Sequence, residues 1–456
     1  MHRCLSILEL FENICEHVNS ANQAQSTLAA LARTCKGFTG PALNCLWAVQ
    51  THGMVNLMRC MPPDLFEFGD NREARLLRPI LAADWERPLI YMRRIRCLYC
   101  SVPMAGVSEL CASFPDDIGS LFPKLTSLHW NNWTSGDDPS ILLLLSPRLT
   151  SLSVSARLSE TMLPAIPRTC PALKNLDIYR CYHMNSSDRS ALSSCLRDLH
   201  SLESVEVVIS DMVALEHLSR LPCLTSLTTR LLANLPLPSM SLPFIALKAL
   251  VIRYNIEQVT RFFQSCSGLP LNNVTIELDP CPTTAAMDKL HTALRQGCSH
   301  ASLLSLAIEI QDDDPPDLGD DAYSAVNMES LRSFFCFVNI TSLCIASCVG
   351  FSIDDQGLKE LAITWPQIRE LRLRLEPYYT DIHLHPQFSL RCLSILAEHC
   401  RALAALEITL DATVIPSDPD TISQSALCRL DAGKSPIASP AVNVARFIST
   451  LFSEHD

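Results

Sequence analysis

The sequence predicts an α/β solenoid, a curved parallel sheet on the inside with helices outside, preceded by a small N-terminal module of three helices. Three observations carry that expectation: an apolar hexad recurs along most of the chain, helix-like segments separate its copies, and the first 48 residues lack it. At 456 residues the chain is too long for one simple core. A solenoid can reach this length because each repeat packs only on its neighbours.

The hexad reads Leu-x-x-Leu-x-(Leu/Ile/Val). It appears at Leu125-Thr-Ser-Leu128-His-Trp130, Leu149-Thr-Ser-Leu152-Ser-Val154, Leu173-Lys-Asn-Leu176-Asp-Ile178 and Leu202-Glu-Ser-Val205-Glu-Val207. Further copies begin at Leu224, Leu247, Leu271, Leu303, Ile340, Ile368 and Leu403, with weaker ones at Ile95 and Leu427. The eleven clear copies start 24, 24, 29, 22, 23, 24, 32, 37, 28 and 35 residues apart, and the long intervals read as loop insertions. Side chains alternate along a strand, so positions four and six point inward while three, five and seven face solvent. Between copies, segments such as Asp354–Ile363 and Leu390–His399 space their apolar residues by three and four, as a helix requires. Because one repeat cannot bury its own apolar face, neighbours must stack.

The ninth position is polar at Ser210, Asn255, Asp279, Gln311 and Asp411, and is cysteine at Cys181 and Cys348. Such side chains can satisfy backbone amides where the chain leaves the strand. This pattern resembles the leucine-rich repeats, and Ile340–Leu373 in particular resembles their cysteine-containing subtype. There Cys348, Ile353-Asp354-Asp355-Gln356-Gly357-Leu358 and Leu361-Ala362 match, with Trp365 where cysteine is usual; Cys170 and Cys400 hold that place better in their own repeats.

Residues 1–48 read as three short helices. Ser6-Ile-Leu-Glu9 has the form of a capping box ahead of Phe11, Ile14 and Val18; the polar run from Asn19 to Ser26 ends that helix. A second helix is expected over Thr27–Cys35 with Leu28 and Leu31, and Pro41 is expected to open a third carrying Leu43, Leu46 and Trp47. The runs Ile7–Cys15, Leu28–Phe38 and Leu46-Trp47 resemble the F-box of fungal F-box and leucine-rich repeat proteins, although the Leu-Pro usual before the first helix is absent. That resemblance implies docking on a Skp-type adaptor, and through it a cullin-RING ubiquitin ligase, by Leu8, Phe11, Ile14, Leu28, Leu31, Leu46 and Trp47, while the repeats hold a protein substrate. Residues 49–92, with Pro62-Pro63, Pro79 and Pro88, are expected to connect the module to a solenoid over 93–456.

Composition narrows the rest. A net charge of −12 without a Lys/Arg block of five or more argues against nucleic acid as a partner. Mean hydropathy is +0.17, yet no run approaches the ~18 apolar residues of a membrane span, and no secretory leader is evident. A cytoplasmic or nuclear protein is expected. The 21 scattered cysteines then read as reduced, buried, small hydrophobes. Cys97-Leu-Tyr-Cys100 has half the spacing of a zinc site but overlaps the Ile95 repeat, His383 and His385 lack a third ligand, and Asp312–Asp321 lacks the alternation of a calcium loop. No metal or other cofactor is expected. Only 13 glycines and no phosphate-loop, nucleophile-elbow or zincin motif leave no anchor for catalysis.

Counting positions five and seven gives the expected substrate face: His129, Asn131, Asp177, Tyr179, Arg230, Arg253, Glu277, Glu309, Arg372, Arg374 and Glu407. Arg372 and Arg374 alternate with leucines on one strand. They present two guanidinium forks suited to carboxylate or phosphate, unless Glu370 or Glu407 occupies them first.

Overall fold

The computed structural model describes residues 7–19, 24–69, 74–102, 110, 112–114, 121–132, 139–178, 184–232, 242–311, 323–375, 386–416, 424–437 and 440–452. The chain forms two compact units, Met1–Val207 and Val208–Asp456.

In the first unit, helices α1 (Leu8–Asn19), α2 (Ala24–Ala32) and α3 (Lys36–Ala48) close on a small core of Phe11, Cys15, Leu28, Phe38 and Ala42. Phe11 stacks on Phe38 with ring centroids 4.0 Å apart. Two boundaries differ from the sequence reading. Helix α2 starts three residues early, so Ser26 lies inside it rather than in a break. Pro41 does not open α3 but lies within it, its ring buried in the module core. The helix begins instead after Cys35, whose extended backbone lets its carbonyl take the Phe38 and Thr39 amides. Ser6 lies outside the described residues.

Directly after α3 the sheet begins. Val49–Gln50 pairs in parallel with Cys97–Val102, and the strands Ser127–Asn132, Ser151–Val154, Asn175–Ile178 and Ser204–Ile209 follow in chain order. The 49–92 stretch also carries the helices Val55–Met58 and Glu86–Met92 and the antiparallel pair Phe66–Phe68 with Ala74–Leu76. The weak copy at Ile95 is therefore a full rung.

The second unit repeats the design with Ser226–Leu231, Ala249–Tyr254, Asn273–Leu278, Ser305–Ile310, Ser342–Ser347, Glu370–Leu375, Ala405–Ile408 and Arg429–Asp431, again parallel and in chain order. The register explains why the hexad recurs. Position four forms one inward column, Leu227, Leu250, Val274, Leu306, Leu343, Leu371 and Leu406, and position six a second. All seven side chains of the first column are essentially without solvent contact, and each buried leucine contributes about 2 kcal/mol.

A second recurrence links the rungs. The amide just ahead of each strand and that of its first residue donate to one carbonyl of the rung before: Lys248 and Ala249 to Thr225, Asn272 and Asn273 to Lys248, Leu304 and Ser305 to Asn272, Thr341 and Ser342 to Leu304. Where a rung turns into its helix, a short polar side chain takes the orphan amide: Asn185, Asp211, Asn255, Thr283, Asn327 and Asp354 all cap this way. Helices then pack closely enough that Gly297 is required, since a Cβ there would lie 2.7 Å from the Phe263 carbonyl oxygen. Trp365, standing where the subtype has cysteine, is buried and donates its indole N–H to the Phe337 carbonyl at 2.9 Å.

The cysteines need one correction. Sixteen described cysteines are free, as expected, and burial pushes the thiols of Cys170, Cys195, Cys266 and Cys400 up to about 11 to 12. Cys281 and Cys348, however, form a disulfide across 67 residues. Cys348 therefore does not serve the strand exit. Ser347 does, its hydroxyl accepting the Gly350 amide at 2.9 Å. The two partners meet because both lie in loops that leave the same end of strands two rungs apart, around the small cluster they share with Ile310 and Ala346.

Candidate interaction surfaces

The module offers the first surface. Helix α1 turns Phe11 and Cys15 inward, with Val18 packed beside them. Leu10 and Ile14, with Ile7 just ahead of the helix, are spaced three and four apart on a neighbouring stripe and remain exposed. Leu8 stands at the outer end of the buried stripe, beyond the point where the small core can cover it. These four side chains are 48, 44, 38 and 54% exposed for Ile7, Leu10, Ile14 and Leu8.

Of the seven residues expected to meet an adaptor, then, Leu8 and Ile14 are accessible. Phe11 and Leu28 are core, Leu31 and Leu46 are half-buried against it, and Trp47 is occupied by a stack on Tyr91 at 4.4 Å. The sequence reading missed that Ile7 and Leu10 complete the stripe, although their spacing from Ile14 was available. It also missed how α3 joins the first rung: the Arg94 guanidinium donates to the Gly40 carbonyl and to Asn44 Oδ1, and the Arg96 amide donates to the Ala48 carbonyl.

The outward positions of the sheet offer the second surface, in two separate stretches. In the first unit His129 stacks flat on Tyr99, ring centroids 4.1 Å apart, with its Nε2 3.2 Å from the Ser127 hydroxyl. Burial lowers its pKa while the Asp177 carboxylate opposes that shift. Asp177 accepts from Ser153 Oγ at 2.7 Å, and Asn131 is half-buried. Tyr179 lies outside the described residues. Tyr99 and Ser153 sit at position five of their copies and belong to this face by the same counting.

In the second unit the register sets Arg230, Arg253, Glu277 and Glu309 side by side along one row. The Arg230 guanidinium lies 3.7 Å above the Tyr254 ring, a cation-π contact. Tyr254 holds a φ of 100°, a left-handed conformation rare for an aromatic residue. Arg253 pairs with Glu277 at 3.0 Å, and beside them Glu309 faces Glu277 without an opposite charge between them. Arg372 and Arg374 are both half-exposed and already engaged, Arg372 with Glu370 and Arg374 with Glu407, each at 3.2 Å. The forks are thus part of the face's own charge balance.

Alternation fails on two strands: Val208, at an outward position in Ser204–Ile209, is only 8% exposed. Cys344 and Ala346 hold outward positions in Ser342–Ser347 yet are 6% and 2% exposed; Ala346 is covered by the cluster around the disulfide. Among the described residues no group of three metal-ligating side chains occurs, and no helix is long and apolar enough to cross a membrane. Cys100 is an inward strand residue. His383, His385 and the 312–321 acidic run lie outside the described residues.

No protein-family model and no curated protein matches the sequence. Among solved structures the chain is similar to the leucine-rich repeat protein LIC12759 of Leptospira interrogans, with 13% identity and a TM-score of 0.39 over 82% of this chain and 92% of that one. It is also similar to a chain of the yeast Rad7 and Elc1 complex, with 13% identity and a TM-score of 0.34 over 94% and 92%. The fold is identified by the molecule's own ladder: inward columns set by recurrent leucines, parallel strands in chain order and helices between them make each unit a leucine-rich repeat solenoid.

Proposed function

We propose that the chain is a protein-binding substrate receptor of an F-box type ubiquitin ligase. In this reading the helical module docks on a Skp-type adaptor that brings a cullin-RING ligase, and the sheet face holds a protein substrate, in the cytosol or nucleus. The chain catalyses nothing itself. It acts by proximity, raising the concentration of substrate around the transferring enzyme.

One observation carries the reading: Ile7, Leu8, Leu10 and Ile14 stand exposed on a module whose other described large apolar residues are buried or half-buried. A bundle that only closes the end of a solenoid has a polar outer face. A rival reading, a leucine-rich repeat scaffold with no ubiquitin role, is favoured by the clasp between α3 and the first rung through Trp47, Tyr91 and Arg94. That clasp uses residues other than the exposed stripe, so capping and docking are compatible. Purified full-length protein mixed with a Skp-type adaptor separates the two readings. Co-elution that a Leu10→Asp, Ile14→Asp double variant abolishes supports the receptor; a parent protein that elutes alone leaves the scaffold.

A further inference from the structure

The two stretches of sheet differ in charge. In the second unit the outward positions mix arginine with glutamate and pair them, Arg253 with Glu277, Arg372 with Glu370 and Arg374 with Glu407. The first unit has no such mixture. From Cys97 to Glu206, positions three, five and seven of the described rungs carry no lysine or arginine. Two of them are the carboxylates Asp177 and Glu206, two are the rings of Tyr99 and His129, and the rest are serine, asparagine and one cysteine.

Register gathers those four side chains into one row. Tyr99 stands beside His129, His129 beside Ser153, Ser153 beside Asp177, and Asp177 beside Glu206. Neighbouring strands lie about 4.8 Å apart, so the row runs roughly 19 Å, the reach of about six extended residues. Its two ends suit the same kind of group. At one end Tyr99 is 38% exposed and stacks flat on His129, which burial holds below its ordinary pKa and so keeps uncharged near neutrality. At the other end two like charges stand side by side, an arrangement that costs stability. Asp177 Oδ2 accepts the Ser153 hydroxyl and its Oδ1 is closed to solvent, so Asp177 acts through its field; Glu206, half-buried, provides the contact. A cation relieves the repulsion at this end and finds the face of an aromatic ring at the other, while an anion is repelled and meets no basic side chain along the way.

We propose that this row docks a basic, extended segment of another protein, one cationic side chain pairing with Glu206 and a second lying against the Tyr99 ring. The assignment rests on the reading that the sheet face holds a protein, and it commits the first unit to that task. The probe is a fluorescent peptide of about nine residues that alternates arginine with serine, with a counterpart carrying glutamate for arginine. Each is titrated into the full-length protein at about 0.15 M salt and followed by anisotropy. The arginine peptide binds saturably at one site and the glutamate peptide does not bind. Glu206→Gln weakens binding about threefold, Glu206→Lys at least about tenfold and Tyr99→Ala about threefold, each with the circular dichroism of the parent. Glu398→Lys, the same change of charge on the helix Arg391–His399 of the second unit, leaves the affinity within about twofold. Absence of saturable binding, equal binding of the two peptides, undiminished affinity in Glu206→Lys, or an equal loss in Glu398→Lys overturns the assignment. Adaptor co-elution is measured on the same Glu206→Lys protein, so that failure of the row and failure of the receptor reading are told apart.

Discussion

Two buried polar side chains give predictions at the scale of the residue. Thr229 occupies position six of its repeat, an inward place that its register neighbour Ile252 fills with hydrocarbon, and its hydroxyl is buried with no partner. Thr229→Val keeps the shape and removes the unmet hydroxyl, so thermal unfolding should shift up, by about 1 kcal/mol of stability; a fall in Tm would mean the hydroxyl is satisfied in solution. His291 gives a pH dependence of defined sign. Burial holds its pKa down at about 4, below the ordinary 6.5. Between those values the unfolded chain binds a proton that the folded chain refuses, so stability is full above about 6.5 and falls as the pH drops toward 4. The loss reaches about 3 kcal/mol. Denaturant titrations across that range should show a slope that His291→Leu flattens, and identical curves for parent and variant would refute the linkage.

At the scale of the element, helix α1 is where stability and binding separate. Phe11 closes the module core, so Phe11→Ala should cost about 3 to 5 kcal/mol and melt the three helices. Leu10 and Ile14 are exposed and stand outside that core. Changing both to aspartate should alter stability by no more than about 0.5 kcal/mol while weakening adaptor retention by at least about thirtyfold, the scale of a lost interface anchor. Gly297→Ala tests helix packing in the same way, because the added carbon meets the Phe263 backbone; a drop in Tm is expected, and an unchanged one would show that the two helices slide apart freely. These elements also mark how far the sequence could be read. Strands were legible because apolar residues at positions one, four and six of the hexad, the last two a strand period apart, say both what forms and which side is buried. Helix starts were less so: Pro41 suits a first turn by its own preference, yet the core that Phe38 and Ala42 build around it decides where α3 begins. The exposed stripe was half legible, since spacing groups Ile7, Leu10 and Ile14 but cannot tell which stripe of a short helix its partners cover. The burial of His291 was not legible at all, because a histidine on a helix does not say whether any partner reaches its ring.

For the molecule as a whole the composition predicted a reduced interior, and sixteen free cysteines agree with it, while the Cys281–Cys348 bridge does not. Mass spectrometry of alkylated, unreduced protein should find one cross-linked peptide pair containing these two residues; recovery of both as alkylated thiols would remove the bridge. Its place matters more than its number. Elsewhere in the second unit the carbonyl-to-amide links join each rung only to the next, the condition under which a repeat array melts as a line of nearest-neighbour units, fraying rung by rung from an end. A bond between the first and third of three successive rungs is a second-neighbour coupling in that line, and it closes a loop of 67 residues worth about 4 kcal/mol of chain entropy in the unfolded state. Fraying that enters from the C-terminal side should therefore halt at Ser342–Ser347, and the three rungs should open as one block. Hydrogen exchange would register this as a single protection step shared by strands 273–278, 305–310 and 342–347, splitting into separate steps once the bridge is reduced.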